Sequence, residues 1–365
     1  MVTAQDGEYA VTQKREQYMP GLKRISLVIA LILIGGQTLA LPANPRPDRQ
    51  VVEILLDNHK IINVVDDFLA FWEKAKGRPL RQQRRLWMEM VEAKHFDYFD
   101  RAVYRNADVD RRIEMLDDFL ARAPEQVEAL REFNRTITDP RTSPLVEAII
   151  HFRSRFPEYR HKRDVYIGLS MQRFDGSVRP VQNEAGIPDT LCLGADVLAG
   201  YTQEQARMAI IHEFFHLYHF GFLFQHPLTT RFRTPHIPLM IEGMAVAGAE
   251  EVYPSQPLSK YLHFTERELA AQQKELGHNS RQYLSLMREN APAEVYERWF
   301  ANSGDDETPP RGGYLLGYEI TRRVRAAFSL DQMVRMTPDQ LREHAEEQLA
   351  AMANDQILLM ACGRD

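Results

Sequence analysis

The chain has 365 residues, of which 44% are hydrophobic, so it is long enough for one large or two modest globular domains. Its net charge of −6 argues against nucleic acid as the main partner. Two cysteines, Cys192 and Cys362, are too few for a disulfide scaffold or a cysteine zinc cluster. One disulfide between them and two unrelated thiols are both compatible with the sequence.

The N-terminus predicts export. A basic pair precedes an apolar run at residues 25–34, and a small-x-small sequence ends at Ala40, which together are typical of a signal peptide over residues 1–40. We therefore expect a periplasmic or secreted protein. Residues 1–18 are polar and mixed in charge, so we expect translation to begin at Met19. The alternative is an uncleaved membrane anchor, although the apolar run is shorter than a span of about 20 residues. Only that alternative predicts membrane contact.

A proline-rich linker at residues 41–47 leads into a region, residues 48–158, whose apolar residues recur at helical spacing. This region predicts a helical support or lid, and its sequence offers no chemistry. Helical segments are predicted at residues 81–103, 108–122, 124–134 and 144–155.

The pattern changes after residue 159. Strands are predicted at residues 164–170 and 189–195, and a turn at residues 174–177. These predict a small sheet directly before the next helix.

That helix carries the sequence H-E-x-x-H, with His212, Glu213 and His216 in an almost entirely apolar window. Thr202 is its expected N-cap. Histidines at i and i+4 lie one turn apart on one helix face, where both can bind one zinc ion. Buried imidazoles and carboxylates need partners, and a metal ion supplies one.

A catalytic zinc keeps three protein ligands and one open position. His219 lies on the same helix face, but three ligands along one helix span about 10 Å, too far for one ion. His226 and His236 follow in a proline-rich loop. Glu242 is the stronger candidate, since it begins a second apolar helix 26 positions after His216.

H-E-x-x-H followed by E-G-x-A resembles the gluzincin zinc peptidases. The stretch G-G-Y-L-L-G-Y at residues 312–318 resembles predicted exported bacterial zinc proteases of that group. The resemblance covers about residues 160–330. It implies that both histidines and Glu242 bind Zn²⁺ and that Glu213 is the general base. Some members carry an acidic orienting residue where this chain has Val246.

The resemblance implies a zincin-like catalytic domain at residues 159–330, followed by a helical segment at residues 331–365. With the preceding helical region, the expected fold is α+β and predominantly helical. Either predicted strand is a candidate edge for an extended peptide substrate. The position of Val246 leaves Glu250, Glu251 or a backbone carbonyl as candidates to orient a ligand histidine.

The expected activity is peptide hydrolysis, in which zinc activates a water and Glu213 transfers its proton. A neutral donor for the oxyanion is also needed, and Tyr314 and Tyr318 are candidates, with Tyr318 preferred. Two alternatives remain. One is an exported zinc-binding structural or chaperone-like protein, and the other is a metallohydrolase for a non-peptide amide or ester.

Overall fold

The computed structural model describes residues 55–182, 186–226, 234–302 and 308–362, with side chains to residue 354. Residues 46–365 form one compact unit. The predicted signal peptide and the proline-rich linker lie outside the described residues. None of the described helices is long and apolar enough to cross a membrane.

Helices make up most of the fold, as the sequence predicted. They are α1 (Val64–Ala75), α2 (Leu80–Met90), α3 (Phe96–Tyr98), α4 (Val109–Thr138), α5 (Pro144–Arg155), α6 (Ala195–Leu198), α7 (Gln203–Leu223), α8 (His236–Val252), α9 (Leu258–Leu262), α10 (Glu266–Lys274), α11 (Leu276–Arg288), α12 (Ala293–Tyr296), α13 (Gly312–Val324), α14 (Leu330–Met333) and α15 (Pro338–Cys362).

A small mixed sheet accompanies them. Its strands are β1 (Ile61–Asn63), β2 (Val165–Gly168), β3 (Gly176–Arg179) and β4 (Thr190–Gly194). The order is β1-β2-β4-β3, and β3 is antiparallel to β4 while the other pairs are parallel. The fold is therefore α+β and predominantly helical, as expected.

The strand predictions need two corrections. The stretch predicted as a turn at residues 174–177 contains the start of β3, because Gly176–Arg179 pair with β4. The strands predicted from the sequence, β2 and β4, are interior, so β3 is the sheet edge beside the candidate site. A four-residue strand that begins with Gly-Ser carries too little apolar alternation to be recognised from sequence.

The N-terminal helical region also departs from prediction. It contributes β1, which joins the sheet beside β2. The segments predicted on either side of Pro124 form one helix, α4, with Pro124 inside it. The buried face of α4 continues through this point, from Phe119 and Leu120 to Val127 and Leu130, so packing outweighs the hydrogen bond that proline removes.

Helix α7 begins as the sequence predicted. The Thr202 side chain accepts a hydrogen bond from the Gln205 backbone N–H, and Gln205 reaches back to the Thr202 backbone. Phe214 and Phe215 are fully buried and pack against Phe152 and Phe156, at and just beyond the end of α5. This aromatic packing fixes the rotation of α7 and so the direction in which its histidines point.

Helices α8 and α13 cross at a pair of glycines. A Cβ atom on Gly243 would lie 2.0 Å from the carbonyl carbon of Gly317, and one on Gly317 would lie 2.2 Å from the carbonyl oxygen of Leu239. No side chain fits at either position, so the two backbones touch. Gly243 of E-G-x-A and Gly317, the last glycine of G-G-Y-L-L-G-Y, therefore have one shared role, which is to let these helices approach.

Candidate metal centre

His212 and His216 lie side by side on α7, with ring centroids 4.6 Å apart, and α8 places Glu242 against both. The Glu242 Oε2 atom is 3.1 Å from the His212 Nε2 atom and 3.4 Å from the His216 Nε2 atom. Zinc bonds of about 2.0–2.2 Å in tetrahedral geometry separate ligand atoms by roughly 3.3–3.5 Å. Both distances are close to this value, and all three candidate ligand atoms lie within 4.8 Å of one another, so the group could hold a metal ion.

The electrostatics of these groups also suit a cation. Burial lowers the pKa of His212, which favours the neutral imidazole that binds metals. Burial opposes the protonation of His216, but the charge and hydrogen bond of Glu242, together with the charge of Glu213, outweigh it and raise the pKa. Burial alone would raise the pKa of Glu242, yet the two imidazoles lower it well below its ordinary value. Glu242 is thus an anion in a buried site, where a bound metal ion would compensate its charge.

Glu213 lies next to this triad. It is buried, and its Oε2 atom has no hydrogen-bond partner among the described residues. Burial raises the pKa of Glu213 to about 8, while His216 acts in the opposite direction. A Cβ atom on Gly176 would lie 2.5 Å from the Glu213 Cγ atom, so the start of β3 packs directly on this side chain. The unpartnered oxygen is available to a water or a substrate.

These side chains line one cavity of about 460 Å³, and its volume is in the range typical of ligand sites. Its wall also includes the whole of β3 and residues from the segments before α10 and α13. Of the described residues, His212, His216 and Glu242 form the one group of three with metal-ligand spacing.

The two candidate tyrosines are separated by the structure. Tyr314 lines the cavity, and its ring centroid is 6.3 Å from that of His212. Tyr318 instead donates a hydrogen bond to Glu250, with 3.1 Å to each carboxylate oxygen. Glu250 lies eight residues beyond Glu242, roughly 12 Å along α8. The preference for Tyr318 is therefore corrected, and Tyr314 is the tyrosine that faces the site.

The other predicted candidates lie elsewhere. His219 is fully buried on α7, and neither ring nitrogen has a hydrogen-bond partner among the residues that the structure describes. Burial lowers its pKa to about 3. His236 starts α8 and is buried. His226 lies after the end of α7. None of these three joins the metal-ligand group of the described residues.

The acidic residues considered as orienting partners have other contacts. Glu250 accepts the Tyr318 hydrogen bond, and Glu251 pairs with Arg155 and Arg325. The His216 Nδ1 atom is buried without a partner among the described residues. Cys192 is a free, buried thiol in β4, and the side chain of Cys362 lies outside the described part.

The same cavity is lined by a polar cluster that sequence analysis missed. Asp175 accepts hydrogen bonds from the Tyr201 hydroxyl (3.0 Å) and the Gly176 backbone (2.8 Å). Burial would raise the pKa of Asp175, but His263, these hydrogen bonds and Arg311 together lower it. The His263 ring stacks on Tyr201 at 5.3 Å. The guanidinium of Arg311 lies near Asp175 and 4.6 Å from the Tyr314 ring centroid.

Two residues of this cluster have unusual backbone conformations. His263 has φ 53° and Arg311 has φ 55°, the left-handed region that non-glycine residues adopt rarely. Each lies at a helix end, His263 after α9 and Arg311 before α13. Strained residues are retained where surrounding contacts hold them, and they concentrate at functional sites. The positive φ values were the missing signal, and they are visible only in the structure.

The fold therefore brings two histidines of H-E-x-x-H and one glutamate together as a group that could hold a metal ion. Residues 175–342 match a family model described as "Predicted Zn-dependent protease (DUF2268)". The match includes the three ligand candidates, Glu213, β3 and α13. No curated protein and no solved structure gave a significant match to the chain.

Proposed function

We propose that this protein is a zinc-dependent peptidase. The observation that carries the proposal is the convergence of His212 and His216 from α7 with Glu242 from α8, beside the buried, unpartnered carboxylate of Glu213. The similarity of residues 175–342 to a family of predicted zinc-dependent proteases supports it.

In this proposal both histidines and Glu242 hold the ion. Zinc, when bound, polarises a carbonyl group and a water molecule. Glu213 accepts the proton of the attacking water and delivers it to the leaving amine. A pKa raised by burial toward neutral suits a group that must both take and return a proton, and the charge of a bound cation opposes that rise. The Tyr314 hydroxyl is the proposed donor to the oxygen that becomes negatively charged.

The proposed substrate is a peptide or protein segment that lies in extended form along β3. This strand pairs with β4 on one side and has no partner strand on its other side in the described sheet. Its start packs on Glu213 and its full length lines the cavity. Backbone pairing with such an edge is a common way to hold an extended chain.

A purely structural zinc site is disfavoured by the ligand count. A closed site needs four protein ligands. The metal-ligand group of the described residues has three, and His219, His226 and His236 do not join it. A non-peptide amide or ester would use the same groups, and a substrate panel containing all three bond types separates these activities.

We further propose that the enzyme acts outside the cytoplasm, as the signal-peptide pattern of residues 1–40 predicts. Fusion of these residues to a reporter that is active only after export tests this. Reporter activity in the soluble periplasmic fraction is expected. Activity that stays with the membrane would support the uncleaved anchor instead.

The experiment for the peptidase is Glu213→Gln. This change keeps the size of the side chain and removes the base, so peptide cleavage should fall by at least about 100-fold. Zinc content, measured by mass spectrometry, should stay near one per chain, because Glu213 is not a ligand. Unchanged cleavage would contradict the assignment of the base. No cleavage of any peptide by the zinc-loaded wild-type protein would contradict the proposed function.

A further inference from the structure

Two arginines on either side of β3 line the cavity and are close enough to interact electrostatically. They are Arg173, which precedes the strand, and Arg179, which ends it. Arg179 is the last residue of β3, and its guanidinium lies 5.5 Å from the ring centroid of Phe174. The Arg179 Nε atom is buried and has no hydrogen-bond partner within the described parts of the chain. Arg173 contacts the sulfur of Met115 at 3.7 Å.

Neither arginine has a carboxylate within ion-pair distance among the described residues. The nearby Arg105 adds a further positive charge, and burial, Arg105 and Arg173 lower the pKa of Arg179. Glu213 attracts Arg179 electrostatically without forming an ion pair. Arg179 is partly buried and Arg173 is exposed. A guanidinium that is partly withdrawn from water and has no ion-pair partner is costly, and proteins usually compensate such a charge with a carboxylate or phosphate.

The other acidic residues of the cavity are already engaged. Glu242 contacts the two ligand histidines, and Asp175 accepts hydrogen bonds from Tyr201 and Gly176. The positive charge at the end of β3 is therefore not neutralised by the cavity itself. A ligand that enters along β3 would meet it.

We propose that Arg179, assisted by Arg173, binds a carboxylate of the peptide substrate. This inference rests on the proposed peptidase function and deepens it by naming the substrate class. The carboxylate belongs either to an Asp or Glu side chain or to the C-terminus of the peptide. The planar guanidinium offers two parallel N–H donors, which match a carboxylate better than a lysine does.

The position of Arg179 sets the register. Gly176 lies against Glu213, and the backbone of Arg179 lies three residues further along the strand, roughly 10 Å away. The Arg179 guanidinium reaches back toward the Phe174 ring and is attracted by Glu213. An extended peptide on this edge would therefore place the recognised carboxylate within about three residues of the cleaved bond. If Arg179 binds an Asp or Glu side chain, the enzyme is an endopeptidase that prefers acidic sequences. If it binds the C-terminal carboxylate, the enzyme cleaves near the C-terminus of the peptide.

The test measures binding separately from cleavage. The zinc-loaded Glu213→Gln protein is titrated with short uncharged peptides that carry an uncharged fluorophore, and binding is followed by fluorescence anisotropy. Glu is placed in turn at each peptide position, with Gln at the same position as its match. A second pair compares a free C-terminal acid with the amide. We expect at least one carboxylate to tighten binding by about tenfold.

Adding Arg179→Gln to this protein should abolish that difference, while Arg81→Gln, a change at an exposed arginine of α2, should leave it intact. If Arg179→Gln does not fold, Arg179→Lys replaces it and should reduce the difference severalfold. Equal binding of acidic and neutral peptides overturns the proposal. So does a preference that survives the Arg179 substitutions. Wild-type cleavage of the same peptides is scored separately, so failure of the peptidase assignment is distinguishable from failure of this one.

Discussion

The metal-ligand wall of the cavity and a second wall of the same cavity are built in different ways. The ligand wall (His212, Glu213, His216 and Glu242) comes from two long, buried helices, α7 and α8. The loop wall (Asp175, Tyr201, His263 and Arg311) comes from the start of β3 and from connections at helix ends.

This difference indicates which part of the site is held in place by regular secondary structure. In the ligand wall, helix geometry places His212 and His216 on one face, and glycine contacts hold α8 against α13. In the loop wall, side chains meet because hydrogen bonds and charge hold them, and two backbones are strained. We expect substitutions of the metal ligands in the ligand wall to remove the metal. Substitutions in the loop wall should alter catalysis while the metal is retained.

The largest effect is expected from Glu242→Ala. Loss of one of three ligands should weaken zinc binding by more than about 100-fold, beyond the 10–100-fold typical of a lost orienting partner. Metal content after dialysis, measured by mass spectrometry, checks this. Glu250→Ala on the same helix is the matched control and should retain zinc, since Glu250 contacts Tyr318. Equal zinc loss in both variants would contradict the assigned ligand set.

Replacing Tyr314 by Phe tests the proposed oxyanion donor, which is not a metal ligand. Loss of an oxyanion donor should lower kcat by about 100-fold, with zinc content unchanged. Tyr318→Phe removes the same atom four residues later, where the hydroxyl contacts Glu250, and should change kcat little. Steady-state kinetics on one peptide compares them. A larger loss for Tyr318→Phe would restore the sequence-based preference.

The glycine crossing predicts a smaller effect on stability. In Gly317→Ala the new methyl group meets the Leu239 carbonyl oxygen, so the helices must separate, at a cost of about 1–3 kcal/mol. Gly221→Ala is the helical control, because its Cβ would lie 3.7 Å from the Lys162 amine, an ordinary contact. Thermal unfolding with zinc present should show a lower Tm for Gly317→Ala only. Equal Tm values would contradict the close crossing.

The smallest expected effect is on the stability of the fold at acidic pH, and it arises from His161, which is not part of the candidate metal centre. Burial lowers the pKa of His161 to about 4, below its ordinary 6.5, so the unfolded chain binds the proton first as pH falls. Stability should be full above pH 6.5 and decline toward pH 4, by about 1 kcal/mol at pH 5.5.

Denaturant unfolding above pH 6.5 and at pH 5.5 measures the difference in the free energy of unfolding. His161→Gln should flatten the decline, whereas the same change at the exposed His278 should not. An unchanged decline in His161→Gln would assign the acid sensitivity to other groups.

The sequence by itself determined the helical character, the start of α7 at Thr202 and the pairing of His212 with His216, because helix periodicity is a local property of the chain. The bounds of the strands were harder to predict from the sequence. A short edge strand such as β3 depends on its pairing with β4, which lies beyond the reach of a local pattern.

Tertiary structure alone decided which tyrosine faces the cavity and which residues form the loop wall. Tyr314 and Tyr318 are one turn apart on α13, and only the packing of that helix distinguishes them. Asp175, His263 and Arg311 are far apart in sequence and meet at irregular backbone positions. No periodic pattern encodes such a meeting, because it results from how separate elements pack.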